Sequence, residues 1–256
     1  MLGGCGALIV ALLVALVRER RRRWEMRQLL RQSDSRLMSL QREFERFVPP
    51  ALVEQLTDAD RAIVPARRQV TILFADLRGF TAMCDRLDPA VTVTILNGYF
   101  ARMISAVTRH HGTVTELVGD GLLALFGALE DNPWQALDAV QAAQAMRGEL
   151  AAYNEELRES GLPTLRFGIG IHGGDVVAGV IGTGGLSKFT VTGDPINIAS
   201  RVEGLTSQFE VDLLITEDIQ RALDQRFVLR PMPLASVKGK AQPIQTYYVS
   251  PDAAAT

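Results

Sequence analysis

The sequence predicts an α+β chain with a ferredoxin-like β-α-β-β-α-β core, preceded by a helix that reads first as a transmembrane anchor and then as a coiled coil. Three observations predict it. From Gln69 onward, short β-branched runs alternate with helical stretches in that order. The N-terminus carries an uncharged apolar run, and between the two regions apolar residues recur at seven-residue spacing. At 256 residues, 47% hydrophobic and 22% charged, the chain can bury a sizeable core and is not disordered, collagen-like or low-complexity.

Residues 2–17, LGGCGALIVALLVALV, contain neither charge nor proline. As a helix they span roughly 24 Å, short for a bilayer crossing. The cluster RERRRR at 18–23 follows and marks a cytoplasmic flank. A cleaved signal peptide has its positive charge before the apolar run, the reverse of this order. A buried core helix is the competing reading, although such a helix is rarely apolar all round. Residues 1–17 are therefore expected to be a membrane anchor, either a single pass or the last helix of a larger membrane region.

In 18–47, Arg23, Leu30, Leu37 and Phe44 form one heptad row, and Met26, Ser33, Leu40 and Phe47 form the second. Six of the eight are apolar, as in a coiled-coil seam, while Ser33 and Arg23 leave a docked amphipathic helix as the alternative. Pro49-Pro50 stops or redirects the helix, and residues 48–68 read as a joint. Residues 1–47 hold ten arginines against five acidic residues, so the net charge of −2 describes neither this segment nor the acidic remainder. For the whole chain, the net charge of −2 and a pI near 6.0 argue against nucleic acid as a partner. Cys5 and Cys84 supply no disulfide framework and no thiolate zinc site.

The globular part is expected over 69–250, with 251–256 as a disordered tail. VTILFA (70–75) reads as a buried strand. Asp88-Pro89 opens a helix that closes near Gly112. TVTELV, Gly119-Asp120-Gly121 and LLALFG read as a hairpin with a tight turn. A long helix runs from about Asn132 to Glu159. Strands are expected at 164–172, 175–182 and 188–193, the first two joined by a glycine turn. A helix then starts at Pro195, with Asp194 as its N-cap.

Chemistry is concentrated in three places. Asp76 follows the first apolar strand and Asp120 sits at the hairpin tip, so the ferredoxin-like order puts both at the ends of adjacent strands. Two such carboxylates repel unless a cation lies between them, and magnesium or manganese suits oxygen ligands. Two ions about 4 Å apart suit in-line displacement at phosphorus. After Asp76, the Arg78-Gly79-Phe80-Thr81 turn can bring backbone N–H groups to phosphate oxygens. In TGDPINIASR, Asn197 and Arg201 stand four apart on one helix face, where an amide and a guanidinium can orient a sugar and stabilise phosphoryl charge; alone, they read equally as a solvated face. Lys238 or Lys240 in VKGK can contact a polyphosphate. Gly168, Gly170 and Gly173 fit the dinucleotide-binding pattern, but a strand follows where that motif needs a helix. His172 reads as structural, His110-His111 lack a companion ligand, and no P-loop occurs.

FADLRGFT, VGDGLLALFG, GIGIHGGDVVAGVIG, TVTGDPINIASR and VKGK together resemble, in order and spacing, the catalytic domain of class III adenylate/guanylate cyclases, over about 69–249. RFVPPALVEQL resembles the segment that precedes this domain in many bacterial members. The resemblance implies a homodimer with sites at the subunit interface and two Mg2+ or Mn2+ ions per site. Asp76, Asp120 and the Leu77 backbone carbonyl would hold the metals. Asn197 would orient the ribose, Arg201 would stabilise the transition state, and Lys238 with the Gly79–Thr81 turn would hold phosphates. The reaction would turn ATP or GTP into a 3′,5′-cyclic nucleotide and pyrophosphate on the cytoplasmic side of the cell membrane. The base-selecting positions diverge: Glu116 resembles guanylate cyclases, Thr190 resembles many bacterial adenylate cyclases, and bacterial-type members lean to ATP. A diguanylate cyclase would carry a G-G-D/E-E-F signature, from which V-G-D-G-L departs. A non-catalytic nucleotide-binding module would not need Asp76, Asp120, Asn197 and Arg201 together.

Overall fold

The computed structural model describes residues 65–183, 186–236 and 242–253. The expected anchor, coiled coil and joint up to residue 64 lie outside these residues, as do Val237–Lys240 and the last three residues. Among the described residues, β1 (Ala66–Leu77) is followed by α1 (Phe80–Cys84), α2 (Pro89–Arg109), β2 (Thr113–Val118), β3 (Gly121–Phe126), α3 (Gln135–Glu159) and β4 (Phe167–Thr183). Then come β5 (Leu186–Thr192), α4 (Asp194–Gln208), β6 (Leu213–Thr216), α5 (Glu217–Ala222), β7 (Phe227–Pro231) and β8 (Thr246–Ala253). The strands form one sheet in the order β2-β3-β1-β4-β6-β8-β7, with β5 paired to β4.

The ferredoxin-like core is present as β1-α2-β2-β3-α3-β4, with β1 between β3 and β4 and antiparallel to both. Alternation along β1 divides its side chains. Leu73, Ala75 and Leu77 join the main core with Tyr99 and Met103 of α2 and Val140 and Met146 of α3. α2 is long and apolar enough to cross a bilayer, but its inward side chains belong to this core. On the opposite face, α4 contributes Ile198, Val202 and Leu205 to a second cluster with Leu214 and Ala235. The helices therefore cover both faces of the sheet. The sheet is also mixed, because β6 pairs with β4 in parallel.

Four local expectations change. The strands expected at 164–172 and 175–182 are a single strand, β4, with no turn at Gly173-Gly174. The glycines make room instead: a Cβ on Gly170 would lie 2.2 Å from the Glu203 nitrogen, and one on Gly174 2.5 Å from Pro195 Cγ. They let α4 press onto the sheet, and no helix follows them as a dinucleotide motif requires. Asp194 is the first residue of α4, not its cap; Gly193 holds that position and no side chain caps the helix. Asp76 lies inside β1, which starts at Ala66, within the expected joint. β8 continues to Ala253, paired there with Phe227, so the chain is still strand past residue 250.

Candidate functional site

β1 and β3 are in register with Ala75 opposite Leu122, which puts Asp76 beside Gly121 and next to the Asp120 turn. Gly119 turns the chain here with φ of 62°, a left-handed value that an L side chain resists. Gly121 is equally constrained by space, since a Cβ there would lie 2.9 Å from Asp76 Oδ1. The two carboxylates are thus brought together as the sequence predicts. Burial, and then the charge of Asp120, push the Asp76 carboxyl above its ordinary value, while the Leu77 backbone N–H opposes the shift.

The segment after Asp76 is anchored from two sides. The Arg78 backbone N–H donates to the Arg166 carbonyl at 2.7 Å, and its guanidinium donates to the Val211 carbonyl. Gly79 then adopts φ of 68°, and α1 begins with Phe80 buried in the core and Thr81 exposed. With the Phe80 ring facing inward, only backbone N–H groups and the Thr81 hydroxyl of this turn are placed to meet a phosphate as expected of Gly79, Phe80 and Thr81.

Asn197 and Arg201 lie one turn apart on α4, with Asn197 exposed. Nη1 of Arg201 is buried without a hydrogen-bond partner, a donor still lacking its acceptor. Their neighbour Glu203 points elsewhere. At about 100° per residue it lies roughly 200° around the helix from Arg201. Its Oε1 fills the space over Gly168, 2.4 Å from where a Cβ would stand, and Gly168 is the cross-strand partner of Asp76. Burial first, then Asp76 and also Asp120, push the Glu203 carboxyl up to about 7, with Arg78 opposing. The sequence reading missed Glu203. The available signal was its spacing from Ala199 and Thr206, both fully buried on the sheet side of α4.

Glu116 is half-buried on β2 opposite Leu123, and Thr190 pairs through its backbone with Gly179 of β4. β3, β1 and β4 separate their strands, so one chain does not bring the two base-selecting candidates to neighbouring positions in the sheet. Lys238 lies outside the described residues. His172 is structural as expected, buried with Nδ1 2.9 Å from Thr216 Oγ1.

The donor set fits a magnesium-like ion. Among the described residues no three His, Cys, Asp or Glu side chains converge as a metal cage. Two carboxylates and a carbonyl suffice for an ion that keeps water and substrate phosphates as its other ligands.

The adenylate and guanylate cyclase catalytic domain model matches residues 64–251. An adenylate cyclase of Anabaena cylindrica is 36% identical over 88% of this chain and 46% of its own length. Adenylate cyclase 1 of Rhizobium meliloti is 30% identical over 80% of the chain and 31% of its own. The chain thus spans less than half of either relative. Among solved structures, the guanylyl cyclase Cya2 is 35% identical with a TM-score of 0.69, over 72% of this chain and 93% of that one. The adenylyl cyclase CyaB of P. aeruginosa is 27% identical with a TM-score of 0.70, over 73% and 96%. With five motifs, one sheet order and these likenesses in agreement, the chain belongs to the class III adenylate/guanylate cyclase family and carries its catalytic domain.

Proposed function

We propose that the chain is a membrane-tethered nucleotide cyclase that acts as a homodimer, with ATP as the favoured substrate. The observation that carries this reading is the close approach of Asp76 and Asp120 at adjoining strand ends. Together with the Leu77 carbonyl they would hold two divalent cations, which when bound make the ribose 3′-hydroxyl more acidic and neutralise phosphate charge. The 3′-oxygen loses its proton and attacks the α-phosphorus; the bond to the bridging oxygen of the β-phosphate breaks and pyrophosphate leaves. Asn197 would orient the ribose, and Arg201 would donate to the oxygens on which charge accumulates. Lys238 and the Gly79–Thr81 turn would hold the terminal phosphates.

The arrangement of α4 supports a site made by two copies. Glu203 turns toward Asp76 of its own chain, so Asn197 and Arg201, on the other side of the helix, are aimed away from it. A second copy would present its own Asp76 and Asp120 to them. Glu116 supports GTP as the second reading, since a carboxylate can accept from guanine N1–H and the 2-amino group. The relatives' names divide the same way, adenylate for the Anabaena protein and guanylyl for Cya2. Purified full chain with Mn2+ and either nucleotide should release a cyclic product and pyrophosphate, faster from ATP. Absence of turnover with both, from a folded dimer, would leave a non-catalytic nucleotide-binding module.

A further inference from the structure

Glu203 has no role in the reaction just described, yet its carboxylate stands in an unusual place. Oε1 occupies the position that a side chain on Gly168 would take, and Gly168 pairs directly with Asp76. Side chains of such cross-strand partners project from the same face with Cβ atoms about 5 Å apart. The carboxylate is therefore beside Asp76, with the Asp120 turn beyond it. A second group opens into the same gap. Thr206 Oγ1 lies 2.2 Å from the same Cβ position, on a fully buried residue, and has no hydrogen-bond partner. Glu203 thus faces the charge of Asp76 and, farther off, of Asp120, beside an unsatisfied hydroxyl and with the Arg78 guanidinium opposing. A glutamine would fill the same volume without the repulsion.

We propose that Glu203 is a positioning residue of the cation site: a third carboxylate, not itself a ligand, that stands behind Asp76 and raises the affinity of the Asp76–Asp120 pair for divalent cations. The inference rests on the reading of those two aspartates as the cation ligands. Glu203 acts through the field it adds and through the orientation it imposes on Asp76 across the gap. Even with water-like screening, one unit charge about 7 Å from a divalent ion changes its affinity by roughly five- to tenfold. Arg78 completes the device, since it is held by the Val211 carbonyl and attracted by Glu203, and its own backbone continues directly from Leu77.

The test is Mn2+ binding to nucleotide-free full chain at pH 8, measured as the cation concentration dependence of its thermal unfolding midpoint, for wild type, Glu203→Gln and Asp76→Asn. Glu203→Gln should weaken Mn2+ roughly five- to tenfold. In turnover assays it should raise the Mn2+ requirement by the same factor. A residue that merely packs α4 would lower the metal-free midpoint and leave the Mn2+ dependence unmoved, and that outcome overturns the proposal. Asp76→Asn separates the two levels. If it loses the Mn2+ response while Glu203→Gln keeps wild-type affinity, only the role of Glu203 fails. If Asp76→Asn also binds as wild type, the cation-site reading fails with it. Should Glu203→Gln not fold, Glu203→Met decides, because it removes the whole charge and keeps most of the volume. The same five- to tenfold weaker affinity is then expected, and unchanged affinity overturns the proposal.

Discussion

Glu203 faces charged groups from two further parts of the chain: Asp76 and Arg78 at the end of β1 and Asp120 in the β2–β3 turn. In the metal-free protein its carboxyl is raised from 4.5 to about 7, and Asp76 is raised as well. Glu203 is neutral in folded and unfolded chains at low pH, so its full contribution is present below about 4.5. As pH rises, the unfolded chain gives up this proton first, and stability falls through the window from about 4.5 to 7, with the raised Asp76 carboxyl acting in the same direction. Solvent reaches this half-buried side chain, so the loss due to Glu203 is on the order of 1–2 kcal/mol. Urea unfolding of metal-free full chain between pH 5 and 8 should show this decline, and Glu203→Gln should flatten it; parallel curves for the two proteins would count against the assignment. At the base-selecting position on β2, Glu116→Lys should move the kcat/KM ratio toward ATP by about tenfold or more, as expected when a carboxylate that accepts from guanine becomes a donor. No change in that ratio would remove Glu116 from base selection. Asp76 and Asp120 were legible in the sequence because each stands at the end of an unmistakable apolar run. Glu203 was not, because a lone glutamate on an amphipathic helix has the pattern of a solvated residue until the facing glycine is known.

α4 and β4 are matched elements, and their fit explains the largest misreading of the sequence. Gly173-Gly174 has the composition of a turn, yet the backbone remains extended through it. The glycines serve the partner helix: at Gly170 an added Cβ would lie 2.2 Å from the Glu203 nitrogen and 2.6 Å from the Ala199 carbonyl oxygen. Both are main-chain atoms, so a side-chain rotation does not relieve the contact. Gly170→Ala should therefore destabilise the domain by about 2–3 kcal/mol and shift α4 outward. Because α4 carries both Asn197 and Arg201, turnover should fall further than the loss of folded protein explains. Unfolding midpoints and kcat measured on the same preparation test this, and a stable, fully active Gly170→Ala protein would show that α4 does not depend on this contact. By contrast, the strands of the β2–β3 hairpin were legible almost residue by residue. Their apolar runs and the Gly-Asp-Gly turn encode local geometry, whereas the glycines of β4 encode a neighbour distant in sequence.

At the scale of the whole molecule, the two halves of the chemistry are built on opposite sides of one helix. Asp76, Asp120 and Glu203 gather at the β1–β3 end, while Asn197 and Arg201 lie across α4 from them. On the proposed reading neither half suffices for the reaction, and a two-fold dimer would supply each half to the other twice. A tethering helix ahead of the domain would raise the effective concentration of the partner, the physical reason to place a coiled coil there. The arrangement makes a quantitative prediction. Arg201→Ala should lower kcat by about 10²–10³-fold, the usual cost of one donor to transition-state charge, and Asp76→Ala should bring it to background. Mixed in equal amounts and allowed to exchange subunits, the two inactive proteins form mixed dimers in half of the population. Each mixed dimer has one site with both defects and one with neither, so activity should recover to about a quarter of wild type. If each chain instead contained a complete site, every copy in the mixture would carry a defect, and no activity would return at any mixing ratio.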